Sequence, residues 1–225
     1  MPAITVMLSA AFKEAYLELV PRFERTTGNK VETMWVTSTE MMRRLKGGEV
    51  VDLAIMAGAA IDELIACGKI ASRIDLVKSG VAVAVRAGAP RPDISSGESL
   101  KRALLAAKSI AYSTGPSGVY LAGLLERMGI AEQLRSKVRI VQGEPTAALA
   151  ARGEAEIAFQ QLSELLPVPG IDIVGPLPPD VQQTTVFAAG LHAAARSPDA
   201  ARALAGFFTA PAAHPVIREK GLEPA

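Results

Sequence analysis

Strand-like and helix-like patterns alternate along nearly the whole chain, and that alternation narrows the possible folds more than any other feature. Ala3–Leu8 is a short apolar run of β character. Ala11, Phe12, Ala15, Tyr16, Leu19, Val20 and Phe23 then recur at helical spacing. Such spacing marks the buried face of a helix, whereas short β-branched runs mark strands. Gly28-Asn29 ends this first helix, as residues tolerant of left-handed backbone do. Lys30–Val36 is the next strand, Ser38 or Thr39 caps a helix through Leu45, and Gly47-Gly48 closes it. Asp52–Met56 reads as a buried strand and Ile61–Cys67 as a helix, with Cys67 expected to be a small buried hydrophobe. A chain that alternates in this way builds largely parallel sheets covered by helices, an α/β fold.

The pattern also suggests two bodies. Val81–Val85 is an apolar strand that runs into Arg86-Ala87-Gly88-Ala89-Pro90-Arg91-Pro92, the best candidate for a crossing. Beyond it lie a helix at Leu100–Lys108, a strand at Ser109–Tyr112, a helix at Ser117–Met128 and a strand at Val138–Val141. A helix at Pro145–Ala151 and strands at Glu156–Phe159 and Ile171–Val174 complete this block. After Pro176, Pro178 and Pro179, the run Thr184–Ala189 crosses back, and helices near Asp199–Phe208 and Pro215–Lys220 would pack on the first body. The expected division is residues 1–82 with 184–225 in one lobe and 83–183 in the other. Val81–Arg86 and Thr184–Ala189 would be the hinge.

Composition excludes several classes of function. The net charge is +1 and aromatic residues make up 4% of 225, so neither a basic face nor stacking platforms for nucleic acid are expected. A single cysteine rules out an intrachain disulfide. No apolar run reaches the ~18 residues that span a bilayer, so no direct membrane insertion is expected. His192 and His214 have no partners at metal-ligand spacing, and neither Gly47-Gly48 nor Gly115-x-x-Gly118 forms a dinucleotide or Walker-type loop. No metal and no cofactor are therefore expected. The chain as written starts without a signal peptide, which sets a cytoplasmic expectation, or a periplasmic one if an export signal has been removed.

The residues that speak of chemistry lie in polar turns. Tyr112-Ser113-Thr114-Gly115-Pro116-Ser117-Gly118-Val119-Tyr120 joins a strand to a helix through small hydroxyl and glycine residues. The first N–H groups of a helix have no internal partner, and the helix dipole favours negative charge there, so this is a ready anion site. Ser9 with Ala10, Ala11 and Phe12, and Ser38 with Thr39, repeat the arrangement. Gln160-Gln161 directly follows Ile157-Ala158-Phe159, at a strand end of the kind where open α/β sheets bind ligands. Each has a plainer role open to it: Ser38 and Thr39 as helix caps, Ser113, Thr114 and Ser117 as turn residues, the glutamines as solvated loop. Glu144, in Gly143-Glu144-Pro145, either favours the next helix N-terminus or acts as a base.

Taken in order, Ile4-Thr5-Val6, Ser9-Ala10-Ala11-Phe12, Glu24-Arg25-Thr26-Thr27-Gly28, Ser38-Thr39, Asp52-Leu53-Ala54-Ile55 and Pro116-Ser117-Gly118-Val119-Tyr120 resemble the molybdate-binding receptors of ABC importers. Those receptors belong to the type II periplasmic binding-protein superfamily. The resemblance implies two α/β lobes with a small anion, an oxyanion or a di- or tricarboxylate, in a cleft between them. It also implies importer membrane subunits as partners. The ligand-binding set it suggests is Ser9, Ala10, Ala11, Phe12, Ser38, Thr39, Ser113, Thr114, Ser117, Gly118, Gln160 and Gln161. Two departures stand out. The family's first-loop serine falls at Ala11, and its late tyrosine is replaced by Gln160 or Gln161, so molybdate itself is expected to bind weakly or not at all. An aconitate-isomerase-like branch also resembles these receptors. It implies an alternative, metal-independent isomerase of an unsaturated tricarboxylate; the base is not identified by the resemblance, and Glu144 is the candidate the residues offer.

Overall fold

The computed structural model describes residues 3–225; the first two residues of the expected first lobe lie outside it. The chain divides into two compact units, Met1–Ser79 with Thr185–Ala225 and Gly80–Thr184. The sequence expectation draws the first boundary slightly later, after residue 82, and the second just before Thr184.

In the first unit, strands β1 (Ile4–Leu8), β2 (Val31–Trp35) and β3 (Leu53–Ala57) run parallel, with β1 in the middle. Strand β9 (Thr184–His192) adds antiparallel to β3. Successive side chains of a strand point to opposite faces, and the sheet uses both. Ile4, Val6 and Leu8 of β1, with Leu53 and Ile55 of β3, face one core with Phe12, Tyr16, Leu19, Phe23, Leu204 and Phe208. These come from helix α1 (Lys13–Thr27), the turn before it, and helix α9 (Pro198–Thr209). Met7, Ala54 and Met56 face the other way, against Met41, Leu45, Ile61 and Leu64. Those belong to helices α2 (Ser38–Lys46) and α3 (Gly58–Ala66). Helix α1 ends where expected, with Gly28 in left-handed backbone (φ 73°) donating its N–H to Glu24 O at 2.9 Å. Helix α10 (His214–Glu219) and the short strand β10 (Glu223–Pro224) close the unit, β10 pairing antiparallel with β4 (Ile70–Arg86).

Asp52 stitches the unit together just before β3. Its carboxylate accepts the Thr5 N–H and the Thr5 hydroxyl, both at 2.8 Å, and the Ser197 N–H at 2.8 Å. Burial alone would raise its pKa, but these donors outweigh burial and hold it below the usual aspartate range.

The second unit repeats the plan. Strands β5 (Ile110–Ser113), β6 (Val138–Val141) and β7 (Ile157–Gln161) are parallel, with β5 in the middle. The far half of β4 pairs antiparallel with β7 and with β8 (Ile171–Pro176). Ile110, Tyr112, Ile157 and Phe159 pack against Leu100, Leu104, Leu121, Leu124 and Leu125. The leucines come from helices α4 (Gly97–Ala106) and α5 (Pro116–Arg127). A short helix, α6 (Ala131–Leu134), follows α5. On the opposite face Ala111 and Ala158 meet Leu149 and Ala150 of helix α7 (Thr146–Arg152). Beside them Ala82, Ala84 and Ala147 pack with Leu165 of helix α8 (Leu162–Leu165).

Three local expectations are corrected. Strand β4 is 17 residues long, whereas sequence reading starts it only at Val81. Its first half carries Ser72, Arg73, Asp75 and Lys78 toward solvent or partial burial, so no apolar run betrays it. The cap of α2 is Thr37 rather than Ser38 or Thr39; its hydroxyl accepts the Glu40 N–H at 3.2 Å. Cys67 is exposed, because it sits at the C-terminal cap of α3, past Leu64, the last buried position of that helix.

Candidate functional site

Each unit gathers its polar turns at one edge of its own sheet. In the second unit the register pairs Ser113 with Val141 and Tyr112 with Phe159. The parallel strands β5, β6 and β7 therefore end at the same edge, and the turns that follow them start side by side. Ligands of open α/β sheets bind outside such carboxyl ends.

The joint between β5 and α5 carries Ser113 at the strand end, Thr114 in the turn, and Ser117 and Gly118 in the first turn of the helix. The Ser113 hydroxyl accepts the Gly115 N–H at 3.2 Å, and Thr114 is exposed. A Cβ on Gly118 would lie 1.6 Å from the Ser113 carbonyl oxygen, so only glycine lets the first turn of α5 pass this close to the strand end. The first main-chain bond of α5 runs from Val119 N–H to Gly115 O at 3.0 Å, which leaves the N–H groups of Ser117 and Gly118 ahead of the helical ladder. Ser117 is 1% exposed, and its hydroxyl has no hydrogen-bond partner. A buried, unsatisfied hydroxyl costs ~1–3 kcal/mol. Here it lies beside the positive end of a helix of 12 residues.

Gln160 and Gln161, expected beyond the strand, are instead the last two residues of β7, paired with Ala82 and Val81, and both are buried. Gln160 is committed to a polar chain. Its Oε1 accepts the Thr146 N–H at 2.9 Å and lies 2.8 Å from the Thr146 hydroxyl, which is also 3.0 Å from the Phe159 carbonyl. Its Nε2 donates to Glu164 Oε1 at 3.0 Å. The Glu164 carboxylate also takes the main-chain N–H of Gln161, the residue that caps α8. A glutamate reaching back to its helix cap is a capping-box contact. Burial pushes the Glu164 pKa up to about 7, against the two hydrogen bonds that favour its ionised form. Sequence reasoning missed Glu164. The only signal was an acidic residue shortly after Gln160-Gln161, and what distinguishes it is burial, a tertiary property. Glu144, the base named from sequence, lies in the turn after β6 in an exposed ion pair with Arg152, at 3.0 and 3.2 Å.

In the first unit, Leu8 pairs with both Trp35 and Ile55, so the turns after β1, β2 and β3 share an edge too. Ser9 is buried; its N–H donates to Ile55 O at 3.1 Å and its hydroxyl lies 3.4 Å from the same oxygen. Ala10 is exposed, while Ala11 and Phe12 are buried, Phe12 packing edge-on to Phe208 at 5.3 Å between centroids. In α2 the first ladder bond is Met41 N–H to Thr37 O at 2.9 Å, which leaves the N–H groups of Ser38 and Thr39 ahead of it. Ser38 is half-buried and Thr39 exposed. Lys13 holds its ammonium 5.7 Å from the centre of the Trp35 ring, which is 42% exposed.

The expected residues thus fall into two sets, Ser9–Phe12 with Ser38 and Thr39 in one unit and Ser113–Gly118 with Gln160 and Gln161 in the other. Among the described residues, the other buried side-chain atom without a partner is His192 Nε2. His192 Nδ1 accepts the Ala194 N–H at 3.1 Å, and burial, with Lys69 nearby, pushes its pKa down. It lies at the end of β9 and belongs to neither set.

A family model described as bacterial extracellular solute-binding protein matches residues 4–223. An aconitate isomerase from Pseudomonas sp. is 41% identical over 229 residues, covering 98% of this chain and 87% of that protein. Two solved structures have the same fold. The periplasmic molybdate-binding protein of Azotobacter vinelandii matches with a TM-score of 0.80 at 18% identity, over 97% of this chain and 98% of that one. The sulfate-binding protein of Mycobacterium tuberculosis H37Rv matches with a TM-score of 0.79 at 18% identity, over 100% of this chain and 88% of that one. At such identities they speak for the fold alone, that of type II periplasmic binding proteins.

Proposed function

This chain belongs to the bacterial extracellular solute-binding protein family, and from that premise we propose that it binds an unsaturated tricarboxylate and interconverts cis- and trans-aconitate. The observation that carries anion binding is the Ser117 hydroxyl, buried without a partner at the N-terminus of α5. An anion there would take the hydroxyl proton and the free N–H groups of Ser117 and Gly118, each a charge-assisted hydrogen bond worth ~1.5–3 kcal/mol. The tricarboxylate, and its isomerisation, are supported by the 41% identity to an aconitate isomerase over 98% of the chain.

The chemistry suits such a site. Moving the double bond of aconitate needs a proton taken from the methylene carbon and one returned to the former vinylic carbon. In between, negative charge spreads into the conjugated carboxylates. Donors fixed at the end of α5 would stabilise that charge more than they stabilise the resting substrate, which is how a donor accelerates a reaction rather than merely binding.

A second reading, favoured by the family match, is a receptor that binds the anion without changing it and delivers it to the membrane subunits of an importer. The test is incubation of the protein with cis-aconitate, without added metal, followed by proton NMR. Growth of trans-aconitate supports the isomerase; tight binding by calorimetry with no conversion over hours supports the receptor.

A further inference from the structure

A proton-transfer site needs a base, and the helix that follows β7, the strand beside the one leading to Ser117, carries one carboxyl whose surroundings are built rather than solvated. We propose that Glu164 is the group that moves the proton, held in place by Gln160 and, through Gln160, by Thr146. This inference rests on the isomerase reading above.

The geometry supports it from three sides. Strands β5 and β7 are parallel neighbours in register, Tyr112 beside Phe159, so helices α5 and α8, which bear Ser117 and Glu164 in their first turns, start from adjacent strand ends, one on each face of the sheet. The Gln160 amide fixes one carboxylate oxygen at 3.0 Å, and its own oxygen is fixed by both the N–H and the hydroxyl of Thr146. Glu164 is half-buried as a residue, and its carboxyl is the deeply buried part, held by hydrogen bonds rather than by solvent. Glu144, by contrast, shares its carboxylate with Arg152 at the surface.

The groups acting on the Glu164 carboxyl come from β7, on which α8 packs, and both are neutral: the Gln160 amide and the Gln161 main chain. Its ionisation is therefore set by burial against two hydrogen bonds, with a pKa of about 7, where a base is still ionised yet strong enough to work.

The step balances with one residue. The ionised carboxyl takes a proton from the methylene carbon of aconitate, and the C–H electron pair spreads over the three-carbon unit and its carboxylates. The double bond re-forms toward the former methylene carbon as the carboxylic acid returns the proton to the former vinylic carbon. Glu164 ends ionised, as it began, and nothing is oxidised or reduced.

The experiment is steady-state kinetics on the full chain, with aconitate binding measured by calorimetry. In wild type, kcat/KM should rise with pH through an inflection near 7. Glu164→Gln should lower kcat by ~100- to 10,000-fold while leaving the aconitate Kd within a few-fold. Gln160→Leu removes a donor that favours the carboxylate, so it should move the inflection to higher pH; a residue with a purely structural part would lower activity without moving it. A folded, aconitate-binding Glu164→Gln protein that turns over like wild type would overturn the assignment and leave the isomerase standing. A wild-type profile flat from pH 5.5 to 8.5 would overturn it even if the variant does not fold. Wild-type protein that binds aconitate but never converts it would remove the isomerase reading, and the assignment with it.

Discussion

At the level of single residues, what could be read from sequence depended on whether a residue acts through its neighbours in the chain. Ser117 was legible because a strand, a small polar turn and a helical pattern follow one another around it. Glu164 was not, because three residues beyond Gln161 it reads only as an acid in a first helical turn. Its character comes from burial and from Thr146, far away in sequence but linked through Gln160. That burial has a consequence for stability. The Glu164 pKa is raised on folding, so its protonated form is the favoured one in the native state. Its contribution to stability is fully present below the ordinary glutamate pKa and is lost as pH rises through about 7. Urea titrations should therefore find Glu164→Gln more stable relative to wild type at pH 8.5 than at pH 4.5. An equal difference at both pH values would mean that the carboxyl is not buried in this way.

At the level of elements, periodicity located most strands and helices to within a residue or two, since buried positions in β5, β7, α1 and α5 repeat at their own spacing. It failed where an element lacks an apolar stripe, as in the first half of β4. It also failed where three candidate hydroxyls stand in a row: Thr37, in extended backbone and accepting the Glu40 N–H, is the cap rather than Ser38 or Thr39. The joint between β5 and α5 is the most constrained of these elements. With a Cβ only 1.6 Å from a main-chain oxygen, Gly118→Ala must shift either the strand end or the helix. We expect a loss of at least ~3 kcal/mol in chemical denaturation, at the upper end for overpacking, together with lost anion binding as Ser117 is displaced. A variant as stable as wild type would show that α5 can move away freely.

At the level of the whole molecule, the alternation of strands and helices conveyed the α/β class, whereas the run Val81–Val85 and the crossing expected at Arg86–Pro92 lie inside the second unit. The chain passes from one compact unit to the other between Ser79 and Gly80 and back between Thr184 and Thr185. Sequence could not fix the first of these, because β4 runs through it as one continuous strand. Under the proposed function, the candidate site residues restrict the ligand class. Ala11 has no hydroxyl, and Gln160 already spends its amide on Thr146 and Glu164. A tetrahedral oxyanion would therefore find fewer donors here than the resemblance to molybdate-binding receptors implies, each missing one costing ~1.5–3 kcal/mol. Calorimetry with molybdate should find no sub-micromolar site, and such a site would refute this reading of the donors. Whether this solute-binding fold interconverts the aconitates is decided by proton NMR of the wild-type chain with cis-aconitate beside Ser117→Ala. We expect metal-independent growth of the trans isomer, with Ser117→Ala losing turnover by more than it loses affinity. Saturable aconitate binding with no trans isomer formed over hours would contradict it.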